Sequence, residues 1–142
     1  MLHLFHPVFV HATVAFLIFG GLVEAFGIGR HREGAERFGG LLVVLGTTSL
    51  VPSIVAGFLA ENSLTLTPAG AEAVADHERL GLIVFGVFVP LLLMKAWGRG
   101  RPPQGFRGVY AAGLLVGVAV TVAAAYHGGF MVYELGVGVT TP

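Results

Sequence analysis

The residues best suited to chemistry in this 142-residue chain are its six histidines, set in a background that is 55% hydrophobic and only 11% charged. Imidazole is neutral near pH 7 and is the commonest metal ligand among side chains. Ionisable groups are costly in an apolar setting, so by default they face one another and mark a site. His3, His6 and His11 lie near the N-terminus, His31 beside a basic stretch, and His77 and His127 far downstream. There are no cysteines. That excludes iron–sulfur clusters and covalently attached haem held by this chain. It also makes zinc less attractive, as does the lack of a His-Glu-x-x-His helix. A b-type haem asks only for two histidines from facing helices. No nucleophile stands beside a base, and no glycine-rich phosphate loop occurs, so the chain reads as an electron carrier or subunit rather than a stand-alone enzyme.

The elements that must position these histidines are membrane helices. A soluble domain carries about 25% charged residues, more than twice the share here. A bilayer core about 30 Å thick takes roughly 20 apolar residues per helix. Four stretches qualify, at about 7–28, 38–60, 77–97 and 108–127. Backbone polar groups in lipid must be satisfied internally, so these are helices, and four segments are too few for a closed barrel. The expected fold is all-α, a single transmembrane four-helix bundle running up-down-up-down, with 128–142 as an extended tail over its outer end. No basic segment precedes the first stretch and no small-residue cleavage site follows it, so it is expected to be a retained helix.

Charge gives the expected orientation. Arg30, Arg32 and Arg37 lie between the first two spans; Lys95, Arg99, Arg101 and Arg107 lie between the last two. Seven of the eight basic residues thus share one side, which the positive-inside rule puts in the cytoplasm. Both termini then face the periplasm of a prokaryotic inner membrane. Zero net charge argues against a nucleic-acid partner.

Counted from the basic boundaries, His11, His77 and His127 sit 18 to 20 residues away. At 1.5 Å per residue that is roughly 27–30 Å, a common depth near the outer edge of the hydrocarbon. His6 and His11 are five apart and point about 140° from each other on a helix, so one centre cannot take both unless the helix starts after His6. Pro7 suits a first helical position, leaving His6 at the cap. The expected haem b ligands are therefore His11 and His77. His127 and His6 are second choices, for a second haem or for propionates. His3 and His31 are read as ordinary interfacial histidines. Glu61, Asp76 and Glu78 would let the same region hold zinc or copper instead. Glu24 is expected to snorkel or to pair with Arg30 or Arg37. Thr47, Thr48, Ser49 and Ser53 are expected to bond their own helix backbone. The abundant glycines are expected to serve helix packing.

Three motifs carry a resemblance. His6-Pro7-Val8-Phe9-Val10-His11, Asp76-His77-Glu78-Arg79-Leu80-Gly81 and the closing Gly128-Gly129-Phe130-Met131-Val132-Tyr133-Glu134-Leu135-Gly136-Val137-Gly138-Val139 span most of the chain. It resembles small bacterial four-helix inner-membrane proteins grouped as a family of unknown function with an N-terminal His-Pro-x-x-Val-His signature. Ala12-Thr13 departs from the family's usual Phe-Pro, and Glu61 from its more frequent Asp. The resemblance implies a prokaryotic inner-membrane protein, with relatives joined to or encoded beside redox proteins. The expected function is b-type haem-binding electron transfer, with a periplasmic redox protein, quinone or another membrane subunit as partner. The alternative is a non-redox protein, either metal-binding and transporting or a structural subunit. Transport is ranked lower, because its ligands should be spaced through the bilayer at broken helices.

Overall fold

The computed structural model describes residues 5–62 and 64–139; His3 lies outside them. Four helices make up the bundle: α1 (Phe5–Gly29), α2 (Glu33–Glu61), α3 (Pro68–Trp97) and α4 (Arg107–Tyr133), with a short 3₁₀ turn at Gln104–Phe106. All four are long and apolar enough to cross a membrane, and no strand occurs among the described residues.

Each helix is longer than its apolar stretch. α1 begins before Pro7, not at it. A proline in a first turn costs little, because the donors there have no intrahelical acceptor anyway. His6 is therefore helical and not a cap. α3 begins nine residues before His77. The Thr67 hydroxyl caps it by accepting from the Gly70 amide at 3.1 Å, and Pro68 supplies the preset first position. At 30 residues α3 is about 45 Å long, longer than a bilayer core is thick. α4 continues through Gly128 and Gly129 to Tyr133, where an extended tail was expected. Glycine within a helix costs only about 1 kcal/mol, less than leaving backbone groups unpaired in an apolar setting. Only the turns from Glu134 to Val139 follow. In α2, Thr47, Thr48, Ser49 and Ser53 each donate to the carbonyl four residues back.

α1 packs along α2 and also against α4, α3 packs along α4, and α2 meets α3 least. Among the described residues the diagonal pairs, α1 with α3 and α2 with α4, have no close backbone approach. Glycines set the tight α1–α2 seam: a Cβ on Gly39 would stand 2.3 Å from the Glu24 amide nitrogen. On α4, Cβ atoms at Gly113 and Gly117 would strike Leu91 and Phe88 of α3.

The two hairpins are repeats of one another, offset by 71 residues. The buried positions of α2 (Gly39, Val43, Gly46, Thr47, Leu50, Ser53) fall one for one on those of α4 (Tyr110, Leu114, Gly117, Val118, Thr121, Ala124). Likewise Thr13, Leu17, Gly20 and Glu24 of α1 match Val84, Phe88, Leu91 and Lys95 of α3. Ala25-Phe26-Gly27-Ile28-Gly29-Arg30 answers to Ala96-Trp97-Gly98-Arg99-Gly100-Arg101. Repeats packed face to face bring equivalent residues together at the bundle centre, as a two-fold axis does. Glu24 and Lys95, 71 apart, form an ion pair of 2.5 Å with Glu24 fully buried. Glu36 and Arg107, also 71 apart, form a bidentate pair at 3.0 and 2.7 Å. The Tyr110 hydroxyl donates to the other Glu24 oxygen at 3.2 Å. Glu24 thus pairs with the opposite hairpin, and not with Arg30 or Arg37 as the sequence suggested. Its place on the inward stripe of α1 decides this, since Arg30 and Arg37 are exposed.

Candidate functional site

The end of the bundle away from the basic loops is lined mainly by small and apolar side chains. A cavity of about 390 Å³ opens there among all four helices. That is within the roughly 300–1,000 Å³ span of small-ligand and cofactor sites. Its walls are mostly apolar, with His6 entering from α1 and His77 from α3. Met131 and Val132 at the end of α4, and Val137 to Val139 beyond it, also line the cavity.

The two histidines are repeat equivalents, again 71 apart, and their surroundings match. A carbonyl oxygen can only accept, so His6 Nδ1 donates to the Ser53 carbonyl at 2.9 Å. In the neutral imidazole this bond selects the tautomer whose Nε2 carries the lone pair, the arrangement of a metal-ligating imidazole. Ser53 is itself held by a 2.9 Å hydroxyl contact with buried Thr13. The His77 ring faces the equivalent carbonyl, that of Ala124. Its buried Nδ1 has no partner within hydrogen-bond distance among the described residues. Each ring also lies on a glycine of the neighbouring helix. A Cβ on Gly57 would approach His6 Cε1 to 3.1 Å, and a Cβ on Gly128 would approach His77 Cε1 to the same 3.1 Å. The second glycine of the closing motif, Gly129, has nothing within 4 Å.

The remaining histidines are placed otherwise. His11 is exposed and outside the cavity, with Nδ1 donating to the Pro7 carbonyl of its own helix at 2.6 Å. The structure therefore does not bring His11 to His77. The inward stripe of α1 runs through 6, 10, 13, 17, 20 and 24, and position 11 falls on the opposite face. His127 is near His77 but does not line the cavity; its Nε2 donates to the Ala73 carbonyl at 3.2 Å, tying α4 to α3. His31 is exposed in the α1–α2 connection. Glu61 and Glu78 both line the cavity. Asp76 is turned to Arg79 at 2.8 Å. No three His, Asp or Glu side chains converge on one point among the described residues.

With four spans and this arrangement on hand, the match to known families decides the kinship. Residues 2–141 match the model described as "Predicted membrane protein (DUF2231)". The chain belongs to that family. It is a multi-pass membrane protein in contact with lipid. Curated proteins and solved structures gave no match. What distinguishes this DUF2231 protein internally is the 71-residue repeat, the signal that singles out His6. His6 and His77 align under the offset, whereas the equivalent of His11 is Leu82.

Proposed function

We propose that this chain is a b-type haem-binding electron-transfer protein of the prokaryotic inner membrane, with one haem held between His6 and His77. One observation carries the reading. Two imidazoles enter a central apolar cavity from diagonal helices, each backed by a glycine, and His6 holds its Nδ1 proton on the Ser53 carbonyl, which leaves Nε2 as the ligating nitrogen of the neutral ring. His6 and His77, one from each repeat, would hold the haem iron between them. Haem, when bound, supplies one-electron chemistry. The chain's own part is to orient the rings, exclude water with Met131, Val132 and the closing turns, and set the local charge through Glu61 and Glu78.

Seven bases at the loop end favour that end being cytoplasmic, which puts the cavity at the periplasmic face. Electrons would enter from a periplasmic redox protein and leave to quinone or a membrane partner. The second reading, a metal-binding, transport or structural protein, draws on Glu61 and Glu78 beside the histidines, but the absence of a three-ligand convergence among the described residues ranks it lower.

The test is an absorption spectrum of the detergent-purified protein, oxidised and then dithionite-reduced. A Soret band with sharp α and β bands on reduction is expected, lost in His6→Ala and His77→Ala and kept in His11→Ala. A colourless protein expressed with ample haem overturns the reading. Elemental analysis of such a protein separates a metal site from a structural subunit.

A further inference from the structure

A second groove, about 490 Å³, opens at the basic loop end between α2 and α3, the least intimate seam of the bundle. Arg37, Lys95, Arg99 and Arg101 line it, with Glu36 the one acid. The charges do not cancel. Glu36 is taken by Arg107 and Lys95 by Glu24. Glu33 is shared between Arg37 at 3.6 Å and Arg101 at 3.1 Å, so it neutralises only one of them. Arg99 has no ion pair among the described residues and is exposed. About two positive charges therefore face the groove uncompensated. Below them the wall turns apolar, through Leu41 and Val44 of α2. Trp97, 71% exposed and leaning on Phe106, marks the level of a membrane interface beside it.

The backbone at Arg99 is an independent sign. α3 ends in a Schellman turn: the Gly100 amide donates to the Lys95 carbonyl at 2.9 Å and the Arg99 amide to the Ala96 carbonyl at 3.0 Å. The left-handed position of that turn, φ 57°, is occupied by Arg99, where glycine is the usual residue. A side chain at that position carries a modest backbone strain, of a kind that functional sites can hold. The left-handed turn places on the rim of the groove a guanidinium that has no ion pair among the described residues.

We propose that this groove binds the phosphate of an anionic phospholipid, with Arg99, Arg37 and Arg101 around the headgroup and an acyl chain along Leu41 and Val44. A guanidinium cluster above an apolar wall matches a phosphodiester joined to hydrocarbon. This rests on the loop end alone and is independent of what the histidines hold.

Thermal melting of the full chain in a zwitterionic detergent tests it, with phosphatidylglycerol, phosphatidylcholine or inorganic phosphate added. Phosphatidylglycerol is expected to raise the melting temperature saturably, and the other two to leave it unchanged. Arg99→Gly relieves the left-handed backbone, so its melting point without lipid should equal or exceed the parent's. Its apparent affinity for phosphatidylglycerol should nonetheless fall about fivefold, the effect of roughly one lost cationic contact. Arg99→Asn, which also tolerates the backbone, should behave alike. Equal stabilisation by phosphatidylcholine, an equal effect of inorganic phosphate, or an undiminished response in both variants would overturn the proposal.

Discussion

Glu24 and Lys95 occupy equivalent places in two halves of one chain and meet as an ion pair of 2.5 Å at the bundle centre. Opposite charges at equivalent positions let the two hairpins pack as unlike partners, where two glutamates or two lysines would repel. Lys95 Nζ lies in the space left by Gly40: a Cβ there would stand 1.9 Å from it, so the ammonium would have to shift.

Lys95→Met leaves the Glu24 carboxyl buried without its cation. A broken buried pair costs about 3–5 kcal/mol. The variant should melt well below the parent, while the exchange Glu24→Lys with Lys95→Glu should recover most of the loss. Melting in detergent of parent, single and double variants measures the coupling; no recovery in the exchange would show that surroundings such as Tyr110, and not the pair, dominate.

The α1–α2 seam offers a steric prediction. Gly39→Ala forces a methyl group against the Glu24 backbone and should destabilise by about 1–3 kcal/mol. Gly34→Ala, with nothing within 4 Å, should be neutral or slightly stabilising as a better helix former. Chemical unfolding of the two variants side by side checks the contrast.

The glycines behind the histidines separate site from scaffold. Gly57→Val pushes the His6 imidazole from its seat, and Gly128→Val does the same to His77. Under the haem proposal both should lose the Soret band while retaining helical content by circular dichroism. A full Soret band in both would mean that these rings are not the ligands.

Charge at the cavity should tune the potential. A carboxylate at the cavity would favour the oxidised, more positive form of a bound haem. The double variant Glu61→Gln/Glu78→Gln, which removes the charge whichever carboxyl bears it, should therefore raise the midpoint potential by tens of millivolts, where 59 mV is a tenfold change for one electron. Redox titration of the visible spectrum reads this directly, and an unchanged potential would place the Glu61–Glu78 charge away from the haem.

His31, like Arg99, holds a left-handed backbone, at φ 52° in the turn that ends α1. Its side chain is exposed, so His31→Gly should stabilise by about 1 kcal/mol with no effect on any spectrum. Equilibrium unfolding in detergent detects the change.

The sequence by itself determined that this is a four-span helical membrane protein with segregated charge, because twenty-residue apolar runs admit no other backbone solution. It also marked His77 and the closing Gly128-Gly129 segment. Which face of α1 turns inward was decided by the tertiary structure, and with it the exchange of His11 for His6. Two histidines five apart point opposite ways, and only packing along Leu17, Gly20 and Glu24 chooses between them. The 71-residue repeat was present in the sequence, but with side chains as unlike as Glu24 and Lys95 at equivalent positions it is legible chiefly as a pattern of burial. Helix ends were likewise settled by local contacts, the Thr67 cap and the seat of His77 on Gly128, which hydropathy does not register. Two equivalent imidazoles around one cavity are a property of how the hairpins pack, and no single span contains it.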